Sequence, residues 1–290
     1  KMVDKNINMK TGYTQVLLTL FMLGLCVNTQ AQDTTRNAYS LFKPLPGHLI
    51  HKDMPADRAD MTETPLTVDV GHFQYETDLV SYERELSGDK KQQHWLYNQA
   101  NLKLGILKNT DIQFGIQSYG RDITQNLDGT QKETDSGFGD ITIRLKQCLY
   151  GNYSGNFSIA LLPYVKIPTN NYNGNNSVEA GLIIPMEFDL PKDWGLGTQV
   201  KGDYVKNDDG PGYHGEIMQS VSVSHQLYKQ FDLIGETSYT YNFKDHEIQN
   251  FLNAVIAFNV NKNVILDAGL YYGVQKEASN VYFLGISFGL

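Results

Sequence analysis

The stretch "DITIRLKQCLYGNYSGNFSIALLPYVKIPT", Asp140 to Thr169, decides how the chain is read. Ile141, Ile143, Leu145 and Leu149 alternate with Asp140, Arg144 and Lys146. A short polar turn follows, and the alternation resumes at Phe157, Ile159 and Leu161. Successive side chains of a strand point to opposite faces. These residues therefore predict two strands of a hairpin, with one oily face and one charged face.

The same rhythm runs from Leu66 to Leu290, with no competing helical period. Twelve segments are expected, at about 66–84, 93–107, 111–126, 138–150, 156–168, 177–190, 194–206, 215–228, 231–243, 250–260, 264–275 and 280–290. They run to roughly 11–14 residues, whereas ordinary strands hold about 5–6. Connections such as "LKNTD", "LPKDW" and "NKN" are short, and they alternate with longer polar ones such as "NLDGTQKETDSG" and "TNNYNGNNS". Short turns at one end and longer loops at the other are the habit of an outer-membrane barrel.

The two faces then identify their solvents. The oilier parity presents, among others, Leu182, Ile184, Leu233, Leu266, Leu270, Leu284 and Ile286. The other parity holds Glu76, Asp78, Lys103, Arg121, Asp140, Arg144, Lys146, Lys166, Glu179, Glu187, Asp189, Lys201, Asp203, Glu216, Glu236 and Asp267. No Asp, Glu, Lys or Arg is expected on the oily parity. A charge facing hydrocarbon costs roughly 2–4 kcal/mol at the bilayer midplane. Lipid outside and a polar lumen inside fit this division; a soluble sandwich would reverse the faces. Backbone groups in lipid must all be paired, so the sheet must close. The expected fold is all-β, a closed antiparallel transmembrane β-barrel of about twelve strands spanning residues 65–290. Trp194 and Phe231 are expected at one rim and Tyr204 and Phe243 at the other, as girdle aromatics. Pro163 and Pro185 interrupt strands five and six and predict a β-bulge or a local opening there.

Residues 1–31 read as a secretory signal peptide: Lys10, an apolar run from Val16 to Val27, then small residues ending at Ala31. Cys26 is not preceded by a small residue, which argues against a lipid anchor. Cleavage leaves one cysteine, Cys148, with no metal-ligand spacing around it. Residues 32–64 are a polar lead with Leu41, Phe42, Leu45, Leu49 and Ile50 embedded in it, either a lumen plug or a periplasmic tail.

"DRADMTETPLTVDVGHFQYETDLVSYER", Asp57 to Arg84, resembles the opening of a family of bacterial outer-membrane proteins named for a meta-pathway of phenol degradation, also called transporters. "YSLFKPLPGHLIHKDMPADRADMTETP" is similar to its Bacteroidetes branch, and "GFGDITIRLKQCLYG" and "LPYVKIPT" to later strands. Ala59 stands where the family places Pro. The resemblance implies a Gram-negative outer membrane and a transport role, with no fixed substrate and no functional residue to carry over.

The expected function is therefore an outer-membrane channel or transporter for small solutes, aromatic or hydrophobic compounds among them, by passive or facilitated diffusion and with no cofactor. Candidate lumen-lining residues are Arg144, Lys146, Glu179, Glu187, Asp189, Lys201, Asp203, Glu216, Glu236 and Asp267. Their mixed signs suit either a solute track or a salt-bridge filling. Partners are outer-membrane lipid, the insertion machinery, which would read "VYFLGISFGL" with Phe288 in place of a terminal aromatic, and an unknown solute. The net charge of -8 argues against nucleic acid. Two alternatives stand beside the channel. One is a phospholipase-type enzyme, against which Ser224 and His225 fall on opposite faces. The other is a structural or adhesion barrel.

Overall fold

A computed structural model describes residues 39–51, 54–172, 177–207, 210–275 and 278–289. The signal segment with Cys26 lies outside the described residues, as does Leu290. Thirteen strands form: β1 (Phe73–Ser87), β2 (Lys90–Leu107), β3 (Thr110–Asn126), β4 (Lys132–Gly137), β5 (Ile141–Tyr150), β6 (Phe157–Ile167), β7 (Glu179–Leu190), β8 (Trp194–Lys206), β9 (Tyr213–Tyr228), β10 (Phe231–Asn242), β11 (Glu247–Asn261), β12 (Val264–Gly273) and β13 (Asn280–Gly289). Each pairs antiparallel with its neighbour, and β1 pairs with β13, so the sheet closes on itself. Strand β4 pairs with the upper part of β3 and β5 with the lower part, in one continuous register from Gly120↔Gly137 to Ile116↔Ile141. They are two pieces of one stave, and the barrel has twelve.

Burial is inverted relative to a soluble protein. Lys146 and Asp111 are 0% exposed, whereas Leu252 is 54% exposed and Leu284 53%. The charged parity fills the interior and the aliphatic parity covers the outside. Closure leaves no unpaired edge to meet lipid. Aromatic pairs mark both margins of the oily band. Tyr150–Phe157–Phe188, Phe231–Phe258 and Trp194 stacked on His225 lie at the short-turn end. Tyr82, Trp95, Tyr97 and Tyr119 pack in series at the long-loop end, where Tyr204 stacks on Tyr213 and Tyr241 meets Phe243.

Three expectations need correction. Residues 66–72 are not strand: β1 starts at Phe73, and the preceding segment lies inside the barrel. Of the two outcomes expected at the prolines, the bulge between their strands is absent and a local opening of the ladder is present. The β6–β7 register runs unchanged from Ile159↔Met186 to Leu162↔Ile183, with the ladder merely left unpaired between them. Ala160 and Leu162, beside that gap, are both fully buried. The third correction concerns parity. At Leu79, Asn98 and Ser118 the pairings of β1, β2 and β3 skip one position together, and Asn98 takes φ 53°. Below this dislocation odd residues of β2 such as Lys103 face inward; above it Trp95 and Tyr97 face outward. Arg121 lies directly opposite Trp95 and shares its outer face, not the lumen. The rule that no charge sits on the outer face fails here, because two-residue alternation cannot register a coordinated one-residue slip.

Candidate functional site: a loop folded into the lumen

Residues 54–69 enter the barrel at the short-turn end, rise to Asp60 and return. Thr64 N–H donates to Asp57 Oδ1 at 3.2 Å and pins the two arms together. Gly105 permits the return arm to touch the wall: a Cβ there would lie 2.1 Å from the Asp69 carbonyl oxygen.

This loop meets wall charges that point inward from seven of the twelve staves. The Asp57 carboxylate accepts from Lys103 Nζ at 2.6 Å and from Lys146 Nζ. Its own N–H and that of Arg58 donate to Glu76 at 3.1 Å. Arg58 grips two carboxylates, Asp78 through Nη1 and Asp267 through Nη2, each at 2.7 Å. A Cβ on Gly285 would lie 2.0 Å from Arg58 Nη2, so only glycine leaves room for this guanidinium. Tyr271 donates its hydroxyl to the Ala59 carbonyl at 3.1 Å. Met61 N–H and the Thr62 hydroxyl both donate to Glu236. Glu63 N–H donates to Gln199 Oε1 at 2.9 Å, and its carboxylate pairs with Arg144 at 2.6 Å. The Thr64 hydroxyl donates to Glu187 at 2.9 Å, and its carbonyl accepts from Lys146. Lower still, Val68 N–H donates to Asp111, and His51 pairs with Asp69 at 2.8 Å while stacking on Tyr153.

Five of the ten candidate lining residues thus hold the loop: Arg144, Lys146, Glu187, Glu236 and Asp267. Four others gather nearer the long-loop end. Glu179 pairs with Lys166, Lys201 with Asp203 at 3.0 Å, and Glu216 accepts from His214 and Asn242. Asp189 is exposed at the short-turn rim and meets neither group. His214 belongs to β9. Asp111, the first residue of the third expected segment, is absent from the expected inward charges; its parity with Gln113 was the available signal.

Burial and the neighbouring Glu236 carboxylate push the Asp60 carboxyl well above its ordinary range. Burial would raise Asp57 too, but the Lys103 and Lys146 ammonium groups outweigh it and hold that carboxyl low.

Above the loop a cavity of about 420 Å3 remains between it and the β1–β6 wall. Carboxylates (Asp60, Glu63, Asp78, Asp140) and cations (Arg144, Lys166) line it. Loop residues 169–172 fold over this side of the mouth. Tyr172, buried, accepts from Gln117 Nε2 at 2.5 Å, and Asn170 donates to Asp140.

Residues 56–289 match the profile of a family described as "Putative MetA-pathway of phenol degradation". The structure is similar to the NanC porin, with a TM-score of 0.51 at 9% identity over 74% of this chain and 100% of the porin. It is also similar to the translocator domain of the autotransporter NalP from Neisseria meningitidis, with a TM-score of 0.50 at 9% identity over 75% of this chain and 87% of the other. At these identities the likeness shows the fold alone, that of outer-membrane barrels. Among curated proteins none matches the sequence.

Proposed function

The chain belongs to the family of the MetA pathway of phenol degradation, and from that premise and the character of its lumen we propose that it is an outer-membrane channel for small polar solutes, gated by residues 54–69. The observation that carries the reading is the inverted wall: a charged interior holding a 420 Å3 cavity, enclosed by a lipid-facing oily surface. In an enclosed space of low dielectric, fixed charges of both signs select solutes by charge and hydrogen bonding. The lining supports polar or charged solutes better than aromatic ones, since Tyr271 is the sole aromatic ring carbon surface among its described lining residues besides the His94 imidazole. Diffusion through such a lumen needs no energy-coupling element.

The loop occupies the short-turn half of the lumen, so passage requires it to shift. Planar-bilayer recordings test this. The full chain should give small or infrequent conductance steps, and a chain lacking residues 57–66 should conduct several-fold more. If neither passes current or small solutes, the channel reading fails and a structural barrel with a salt-bridged interior replaces it.

A further inference from the structure

Past the long-loop girdle the wall continues as a ribbon of β1 to β4, and here charge is sorted by face. Register fixes the rows. Tyr82, Trp95, Arg121 and Ser136 stand side by side; the next row on that face is Arg84, Gln93, Ile123 and Thr134, and the next Leu86, Lys91, Gln125 and Lys132. Trp95 packs against Tyr82 and stacks on Tyr97 in the girdle, so this is the outer face. The intervening rows hold Glu83, His94, Asp122 and Asp135, then Glu85, Gln92, Thr124 and Glu133. His94 lines the lumen cavity, so these face inward. The outer rows carry four cations and no carboxylate; the inner rows carry five carboxylates.

Arg84, Arg121 and Lys132 are exposed and Lys91 partly so. Among the described residues none of the four enters an ion pair or side-chain hydrogen bond. Strands lie about 4.8 Å apart and same-face residues about 6.7 Å apart along a strand, which places all four within roughly 16 Å of one another. Unpaired cations spaced this way, on a chain of net charge -8, match an array of anions and not a single one. Their depth identifies the array. They stand on and just above a girdle of Tyr and Trp, the level at which amphipathic rings meet lipid headgroups. The parity slip at Leu79, Asn98 and Ser118 is what turns Arg84 and Arg121 to this side.

We propose that the outer face of the β1–β4 ribbon is a docking site for the phosphate-bearing headgroups of anionic lipid in the leaflet at the long-loop end. The proposal rests on the membrane-spanning reading but not on the channel. Bidentate guanidinium–phosphate contacts suit Arg84 and Arg121, and point-charge contacts suit Lys91 and Lys132.

The test uses the full chain in neutral detergent, with retained lipid read by native mass spectrometry. The probes are bis-phosphorylated lipid A, its monophosphorylated form, and phosphatidylcholine. We expect retention in that order, with phosphatidylcholine at background, and no displacement by inorganic phosphate at equal phosphate concentration. A variant carrying Arg84→Gln, Lys91→Gln, Arg121→Gln and Lys132→Gln should retain lipid A at least tenfold less. A control carrying Lys43→Gln, Lys192→Gln, Lys229→Gln and Lys262→Gln, the same charge change at the other end, should retain it fully. If the fourfold variant fails to fold, judged by its heat-modified gel shift, Arg84→Gln with Arg121→Gln should still lower retention several-fold. Equal retention by variant and wild type, equal retention of phosphorylated and neutral lipid, or displacement by free phosphate overturns the proposal. Wild-type conductance in neutral lipid is read separately, so loss of the channel reading and loss of the lipid site are distinguishable.

Discussion

The two ends of the lumen use the same residue types under opposite hydration. At the short-turn end, Lys103 and Lys146 are 1% and 0% exposed and are locked against Asp57 and Glu76. At the long-loop end, Lys166 and Lys201 face Glu179 and Asp203 with side chains 30% and 32% exposed. The difference teaches what the loop does to the wall. It excludes water from the lower charges, so each depends on its partner. A buried ion pair is not a strong source of stability, but breaking one by removing a single partner is costly. Exposed pairs are worth about 0–1 kcal/mol.

The largest effect is therefore expected from Lys146→Met. It strips Asp57 of one cation and leaves the Thr64 carbonyl without its donor. Loss of about 3–5 kcal/mol is expected in urea unfolding from lipid vesicles. Adding Asp57→Asn should recover part of it, because the carboxylate that Lys146 contacts directly no longer faces the gap. A double variant as unstable as the single would show that Lys146 acts through packing and not charge.

Arg58→Ala comes next. It releases Asp267 and Asp78 together, but Asp78 is 20% exposed and can be rehydrated, so about 3 kcal/mol is the expected cost. Arg58→Lys should not restore it, since a point charge cannot bridge two carboxylates in the guanidinium's fork. Gly285→Ala should reproduce the phenotype without touching a charge, because its Cβ would take the guanidinium's place. In bilayers all three should open more often than wild type, and unchanged gating would uncouple Arg58 from the loop.

Acidity separates the two halves of the loop itself. Asp57 is held low, so its contribution is full above the ordinary value of 3.8 and falls away as pH drops toward its docked value. Asp60 is raised, so docking is favoured below 3.8 and weakened as pH rises through its docked value. The loop should be held most firmly in mild acid and loosen toward neutral and alkaline pH. Open probability measured from pH 5 to 9 should rise in wild type and rise less in Asp60→Asn, since burial also raises the Glu63 carboxyl of the same loop. A rise undiminished by the substitution would move the sensor elsewhere.

Most of the barrel was legible because lipid and lumen impose a strict two-residue code. Ile141, Ile143 and Leu145 against Arg144 and Lys146 state it in a few positions, and the antiparallel pairing of β5 with β6 agrees with it. What escaped lies where the code is locally suspended. The alternating look of "PLTVDV" arises because Thr67 and Val68 pack along a wall, yet its backbone bonds to side chains such as Asn152 and Asp111 instead of a ladder. The slip at Asn98 reverses three strands at once and leaves each half in perfect alternation. The loop's partners were visible one by one as inward charges, but periodicity carries no information on which of them meet Asp57 or Arg58. Asp189 shows the converse limit: its parity is right, but its position at the rim leaves it in water.

The smallest expected effect tests the wet half. Lys201 bonds Asp203 at 3.0 Å and lies 5.6 Å from the Tyr164 ring, and Tyr164 also donates to Asp203. Lys201→Met removes one of two partners of Asp203 and leaves the other. The Lys201 side chain is 32% exposed, so water enters the place it leaves beside Asp203, whose own side chain is 6% exposed and keeps the Tyr164 hydroxyl; stability should fall by about 1 kcal/mol. Permeation should respond where stability hardly does: one cation fewer in the upper lumen shifts its fixed charge by one unit toward cation preference. Reversal potentials under a salt gradient should move in that direction with the unfolding midpoint little changed. A stability loss as large as that of Lys146→Met would mean the long-loop end is as dry as the other, and the contrast between the two ends would dissolve.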